Sequence, residues 1–172
     1  MKKVLITGIT GFAGQYLAEE LLALSDIELH GTYHSDEGLN RLGDMKRQLI
    51  LHKADLTVKD EVDRVINEAS PDEIYNHAAQ TSPSESIKNP EATFTINIMS
   101  ELYLFEAVKA MNKPDTKILA VSTSEVYGAI SPADLPVDED TPLRPTTPYA
   151  VSKIAQDYLA LSICYRSQAK HY

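Results

Sequence analysis

Residues 4–14 read VLITGITGFAG, with Gly8, Gly11 and Gly14 at three-residue intervals. Ahead of the glycines, Val4-Leu5-Ile6-Thr7 is short, apolar and rich in β-branched side chains. Behind them, Phe12 to Leu24 carries Leu17, Leu21, Leu22 and Leu24 at helical spacing. The pattern is strand, tight turn, helix. A helix N-terminus offers unpaired N–H groups and a positive dipole end, which together attract an anion. Glycines let a phosphate reach those groups and let the helix lie close to the strand. Taken alone, such a turn can do no more than join a strand to a helix, so the residues downstream must settle its role.

Downstream the pattern alternates. Residues 27–33 (IELHGTY) read as a second strand and 49–56 contain a third. Residues 59–69 are a helix with Val62, Val65 and Ile66 on one face, and 72–79 (DEIYNHAA) are a fourth strand after Pro71. A long helix is predicted over 90–111, opened by Pro90, with Phe94, Ile98, Leu102, Phe105 and Val108 on one face. Residues 116–124 (TKILAVSTS) make a fifth strand, and 148–168 a last long helix. Strands alternating with helices imply a parallel sheet covered on both faces. Between fifth strand and last helix, residues 129–147 hold Pro132, Pro136, Pro142 and Pro145 with Asp134, Asp138, Glu139 and Asp140. An irregular excursion of that length is usually a lid or a substrate loop.

Composition bounds the partners. At 172 residues, 43% hydrophobic and 24% charged, residues 1–172 are expected to form one folded domain. The net charge of −9 argues against a nucleic-acid partner, which needs clustered Lys and Arg. Anionic small molecules remain open, since backbone amides hold them without side-chain charge. The one cysteine, Cys164, excludes an internal disulfide and a cysteine-based zinc site here and reads as a core residue; no metal is expected. No apolar run reaches the length of a membrane span. The opening MKKVLITG runs into Glu19 and Glu20 without a small-residue cleavage site, so the cytoplasm is the expected location.

Tyr149 and Lys153 stand four residues apart on the last helix and share a face. A nearby ammonium favours phenolate over phenol, and a tyrosine so placed can exchange a proton with a sugar hydroxyl or ketone during hydride transfer. VSTSEVYG (121–128) adds hydroxyls and Glu125 at the carboxyl end of the fifth strand, where open α/β sheets bind their ligands.

Five stretches, in order along the chain, resemble the extended short-chain dehydrogenase/reductases of the nucleotide-sugar epimerase/dehydratase family: TGITGFAG (7–14), DL (55–56), HAA (77–79), STSEVYG (122–128) and YAVSK (149–153). The resemblance implies a three-layer, doubly wound parallel sheet of Rossmann type, with strand order 3-2-1-4-5. By position it implies a dinucleotide pyrophosphate at Gly8, Gly11, Phe12, Ala13 and Gly14, and adenine flanked by Asp55 and Leu56. Ala78 and Ala79 would line the cofactor cleft, and Thr123, Tyr149 and Lys153 would be the catalytic hydroxyl–tyrosine–lysine set. Asn97 matches the helix asparagine that helps position the lysine.

Within the family, Thr123-Ser124-Glu125 resembles the GDP-mannose 4,6-dehydratases, in which the glutamate is an additional acid/base. Gly11-Phe12-Ala13-Gly14, AAQTSPSES (78–86) and LPVDEDTPLRPTTPYAVSK (135–153) resemble the GDP-4-keto-6-deoxymannose reductases as much. Dehydration of a GDP-linked sugar leads, with NAD(P)H-dependent reduction and C4 epimerisation as alternatives. The cofactor is NAD or NADP. The second strand ends Thr32-Tyr33-His34-Ser35, without the usual ribose-binding acid and with Asp36 too late, which leans toward NADP at His34. Members of this family continue into a smaller C-terminal substrate lobe that residues up to Tyr172 lack. The expectation is therefore an open edge at the fifth strand, a homo-oligomer through the helices 90–111 and 149–168, and little turnover. On that view the residues could also be an inactive cofactor-binding or interaction fragment. Ile96, Met99 and Tyr103 on one helix, and Tyr158, Leu161 and Tyr165 on the other, would be the faces in need of cover.

Overall fold

The computed structural model describes residues 1–168, with side chains through residue 163. Within them the chain divides into two compact units, 1–79 with 99–121, and 80–98 with 122 onward.

The first unit is a five-stranded parallel sheet in the order β3-β2-β1-β4-β5, as predicted. Its strands are β1 (Lys2–Thr7), β2 (Ile27–Tyr33), β3 (Ile50–Lys53), β4 (Glu73–Asn76) and β5 (Lys117–Ala120). β1 is central, and its alternation explains the layers. Val4 and Ile6 point to one face, where Ile9, Leu29 and Leu42 join Ala18 and Leu21 of α1 (Phe12–Leu22). Leu5 points to the other, where Ala54 and Ile74 meet Val62, Val65 and Ile66 of α3 (Lys59–Ala69) and Leu104 and Ala107 of α6 (Ser100–Ala110). Each fully buried Leu, Ile or Val side chain contributes about 1.5–3 kcal/mol, so both faces must be covered at once for β1 to hold. α3 begins with Asp60 and Glu61 on its positive dipole end and stops at Ser70 in a left-handed conformation, φ 41°.

Several elements differ from the sequence reading. The strands predicted at 72–79 and 116–124 are each only four residues long, whereas the third strand, expected within 49–56, is Ile50–Lys53. α1 stops at Leu22, leaving Leu24 exposed. A short helix α2 (Asp36–Leu39) and a 3-10 stretch Asn40–Gln48, kinked at Gly43, fill a span with no assigned element. The helix expected over 90–111 is α5 (Pro90–Phe94), a π-helical turn (Thr95–Met99) and α6. The extra residue of the π turn shifts the phase, so Glu101, Leu104, Phe105 and Ala107 are buried while Leu102 and Val108 are only partly so. Tyr103, expected on an outward face, packs against the α3 cluster. β5 forms one edge of the sheet, with Leu119 exposed.

The second unit holds α4 (Pro83–Lys88) and α5 packed against α7 (Pro148–Gln168), plus 3-10 turns at Ser124–Tyr127 and Pro132–Asp134. Residues 129–147 are irregular apart from that second turn, as expected. Tyr158 and Leu161 are exposed on α7; the side chains of Cys164 and Tyr165, and Tyr172, lie outside the described residues. No helix among the described residues is long and apolar enough to cross a membrane.

Candidate functional site

In the first unit the glycine turn sits at the carboxyl end of β1, where the sequence placed it. Gly8 adopts φ +64°, and a Cβ there would stand 3.0 Å from the Ala78 Cα. Gly14 lies under the turn: a Cβ on it would come 2.7 Å from the Gly8 carbonyl oxygen and 2.9 Å from the Ile9 Cα. Both neighbours are main chain, so neither position admits a side chain without moving the turn. Gly11, Phe12 and Ala13 are exposed. The first turn of α1 has no side-chain cap and no acidic residue, so exposed Phe12 and Ala13 stand at a positive dipole end that no side chain opposes. This cradle fits an anionic diphosphate.

Threonines hold the turn in place. The Gly8 N–H donates to the Thr32 hydroxyl (3.0 Å), and the Ile9 N–H to the Thr32 carbonyl (3.0 Å). The Thr7 hydroxyl donates to Asn76 Oδ1 (2.7 Å) and accepts from the Ala78 N–H (3.0 Å), fixing Ala78 beside Gly8; Ala79 follows, half-buried. Gln15 donates to the carbonyls of Thr10 and Gly11. The sequence reading missed Thr7, Thr32 and Gln15 as supports, because only the register of β2 on β1 brings Thr32 over the turn.

A cleft beside β2 and β3 is lined by His34, Lys53, Ala54, Asp55, Glu61 and Arg64, so the structure does bring His34 and Asp55 together. Asp55 Oδ1 accepts from the Thr57 hydroxyl (2.7 Å) and N–H (2.9 Å), which hold its carboxyl below the usual range. The Leu56 side chain packs into the α3 cluster, leaving its backbone as the part able to meet a ligand. Asp36 opens α2 and pairs with Lys53 at 2.9 Å. Lys53 and Arg64 had no signal in the sequence, since they reach the cleft from β3 and α3.

In the second unit the acid–base candidates gather on α7 and the turn before it. Tyr149 and Lys153 are both buried in the first turns of α7. Thr123 caps the 3-10 turn that carries half-buried Glu125, its hydroxyl accepting from the Glu125 N–H (3.3 Å), and that turn packs against α7. The Tyr149 N–H, one of the helix's orphan donors, bonds to the hydroxyl of fully buried Ser86 on α4 (3.1 Å), which itself donates to the Pro83 carbonyl (2.6 Å). The Lys153 ammonium donates to Gln156 Oε1 at 2.7 Å. Asn97, buried in the π turn, accepts from the Gln80 N–H (2.8 Å) and donates to the Gln80 carbonyl (3.1 Å) and the Ser152 hydroxyl (2.8 Å); Ser152 in turn donates to the Tyr149 carbonyl (2.7 Å). Asn97 thus braces the segment between Tyr149 and Lys153. Ser86 and Gln156 were not foreseen.

Residues 5–171 match the family model for GDP-mannose 4,6-dehydratase. A GDP-mannose 4,6-dehydratase of Vibrio cholerae is 39% identical over 163 residues, covering 89% of this chain and 43% of that enzyme's length. Among solved structures, the Thermus thermophilus UDP-glucose 4-epimerase in complex with NAD superimposes with a TM-score of 0.82 at 29% identity, over 97% of this chain and 51% of the other. RMD from Pseudomonas aeruginosa, complexed with NADPH, gives 0.76 at 28% identity, over 98% and 50%.

Proposed function

The chain belongs to the GDP-mannose 4,6-dehydratase family, and on that premise we propose that it forms the dinucleotide-binding and acid–base part of an enzyme that dehydrates GDP-mannose in the cytoplasm. The match over residues 5–171 carries this reading. The cofactor is NADP or NAD; the exposed His34 at the end of β2, in place of a carboxylate, leans toward NADP.

Gly8, Gly11 and Gly14 leave room for the pyrophosphate, and the N–H groups of Phe12 and Ala13 take its charge. Asp55 and the Leu56 backbone take the adenine, and Ala78 and Ala79 border the cofactor. A dinucleotide held by these residues would supply the hydride chemistry, taking hydride from sugar C4 and giving it back at C6 with no net consumption. Tyr149 removes the O4 proton as C4 becomes a ketone, with Lys153 one turn further along α7 and Thr123 bonding O4. The ketone acidifies the C5 proton. Glu125 takes it and gives it to the departing C6 hydroxyl, which leaves as water, and the proton that Tyr149 took from O4 goes back to C5 to complete the product. Burial of Tyr149 and Lys153 supports these roles, because a proton passed between buried groups is not lost to solvent. Exposed Tyr158 and Leu161 on α7 are the side chains by which copies of the protein would associate.

The test supplies GDP-mannose and a catalytic amount of NADP to the full-length protein carrying this chain. A keto product lighter by one water supports dehydration. Oxidation of NADPH only when a 4-keto sugar is given would replace it with reduction, and appearance of the C4 epimer with epimerisation.

A further inference from the structure

His30 of β2 and His52 of β3 take no part in the turn, the cleft lining or the acid–base group, yet both are almost wholly buried. Their rings lie nearly parallel, 11° apart, with His30 Nδ1 3.0 Å from His52 Nε2. The outer nitrogens meet carboxylates: His30 Nε2 lies 3.0 Å from Glu28 Oε1, and His52 Nδ1 3.1 Å from Glu68 Oε2 on α3. This is an unbroken chain of three polar contacts, Glu28–His30–His52–Glu68.

A proton count on that chain has one solution. Each contact needs one proton, ionised carboxylates supply none, and two neutral imidazoles supply two. With both rings neutral, one contact must set lone pair against lone pair, either between the two buried rings or between a ring and its carboxylate, such as half-exposed Glu68, and a hydrogen bond is forgone in either case. One added proton completes all three bonds. A second would drive N–H against N–H across 3.0 Å.

We propose that Glu28, His30, His52 and Glu68 form a proton-sharing clamp that holds one proton more than two neutral rings and fastens edge strand β3 and helix α3 to β2 in that state. The other charged groups around it are accounted for. Lys3 of β1 pairs with Glu28 (3.3 Å), Arg64 of α3 with Glu68 (3.2 Å), and the Lys53 ammonium turns away to Asp36. With both carboxylates already paired to cations, the unmade hydrogen bond is what draws the first proton in. Burial, joined by the charge of the facing His30 ring, pushes the His52 imidazolium down against the pull of Glu68, which keeps the second proton out. The pair therefore titrates as one body. Because the folded chain holds His52 against a further proton that the unfolded chain accepts near the ordinary imidazole value of about 6.5, stability falls as pH drops below that value.

The experiment is long-range nitrogen–proton NMR on the 172-residue chain with isotope-labelled histidine, from pH 5 to 9. The expected spectra show His30 and His52 moving together as one coupled pair. While the added proton is held, His30 Nδ1 and His52 Nε2 would share it and the glutamate-facing nitrogens would stay protonated. Amide exchange at Leu51–Lys53, corrected for its intrinsic pH dependence, should quicken about tenfold once that proton leaves, the effect of one net hydrogen bond. In His52→Gln the shared step should vanish from His30. Two neutral rings across the whole range, or two independent titrations, would overturn the proposal, and the unsubstituted chain alone gives that answer.

Discussion

Replacing Gly14 by alanine adds one methyl group at the tightest point of the glycine turn. That carbon would lie 2.7 Å from the Gly8 oxygen, 2.9 Å from the Ile9 Cα and 3.0 Å from the Ile9 oxygen. Ordinary contact begins near 3.4 Å, so helix and turn must separate by about 0.7 Å. Nothing soft lies in the way, since all three atoms are main chain. α1 is not free to retreat either, because Ala18 and Leu21 are bound into the core with Val4, Ile6 and Leu29. Overpacking of this kind costs about 1–3 kcal/mol, and alanine's better helix propensity returns at most about 1 kcal/mol. With the full offset the net loss is about 0–2 kcal/mol, which lowers a urea midpoint by up to about 1 M. The same displacement carries the Phe12 and Ala13 amides away from a diphosphate, so NADPH titrated by fluorescence should bind at least about tenfold more weakly. A variant as stable as the parent, with unchanged NADPH affinity, would refute the close-packing argument.

Ser86→Ala strips the Tyr149 N–H of its partner in a buried place and should cost about 1–2 kcal/mol in urea unfolding; an unchanged midpoint would mean that the α7 N-terminus is held by other contacts. Because the Thr57 hydroxyl and N–H hold the Asp55 carboxyl below its ordinary range, its stabilisation is present above about pH 4 and is lost as pH falls through the lowered folded value. Urea midpoints measured from pH 5 downward should therefore fall less steeply in Asp55→Asn than in the parent chain. Gly11→Glu brings bulk and negative charge to the exposed mouth of the turn and should abolish NADPH binding, read by the same titration.

Periodicity carried much of the fold. β2 and α3 were legible to the residue: IELHGTY is a short run in which four consecutive residues are buried, on both faces of the strand, and KDEVDRVINEA buries Val62, Val65, Ile66 and Ala69 at helical spacing. The π turn was not, since Thr95–Met99 contains neither glycine nor proline. Its buried Asn97 is instead tied to Gln80 and Ser152 by hydrogen bonds that exist only once the chain has folded. Residues 36–48 gave no reading because a polar run kinked at Gly43 has neither helical nor strand period. The same division runs through the candidate site. Glycines, Tyr149 and Lys153 announce themselves by spacing, whereas Thr32, Ser86 and Gln156 are ordinary residues whose roles come from what the fold sets beside them. His30 and His52 lie twenty-two positions apart and meet only through the register of β3 on β2.

The most direct measurement of the proposed activity follows one hydrogen. GDP-mannose carrying deuterium at C4 is given to the full-length protein with catalytic NADP, and the product is examined by mass spectrometry and NMR. The expected result is a 4-keto product with the deuterium at C6 and no net accumulation of NADPH, because the hydride leaves C4 and returns within one turnover. Deuterium retained at C4, or released into the NADPH pool without loss of water, would contradict it.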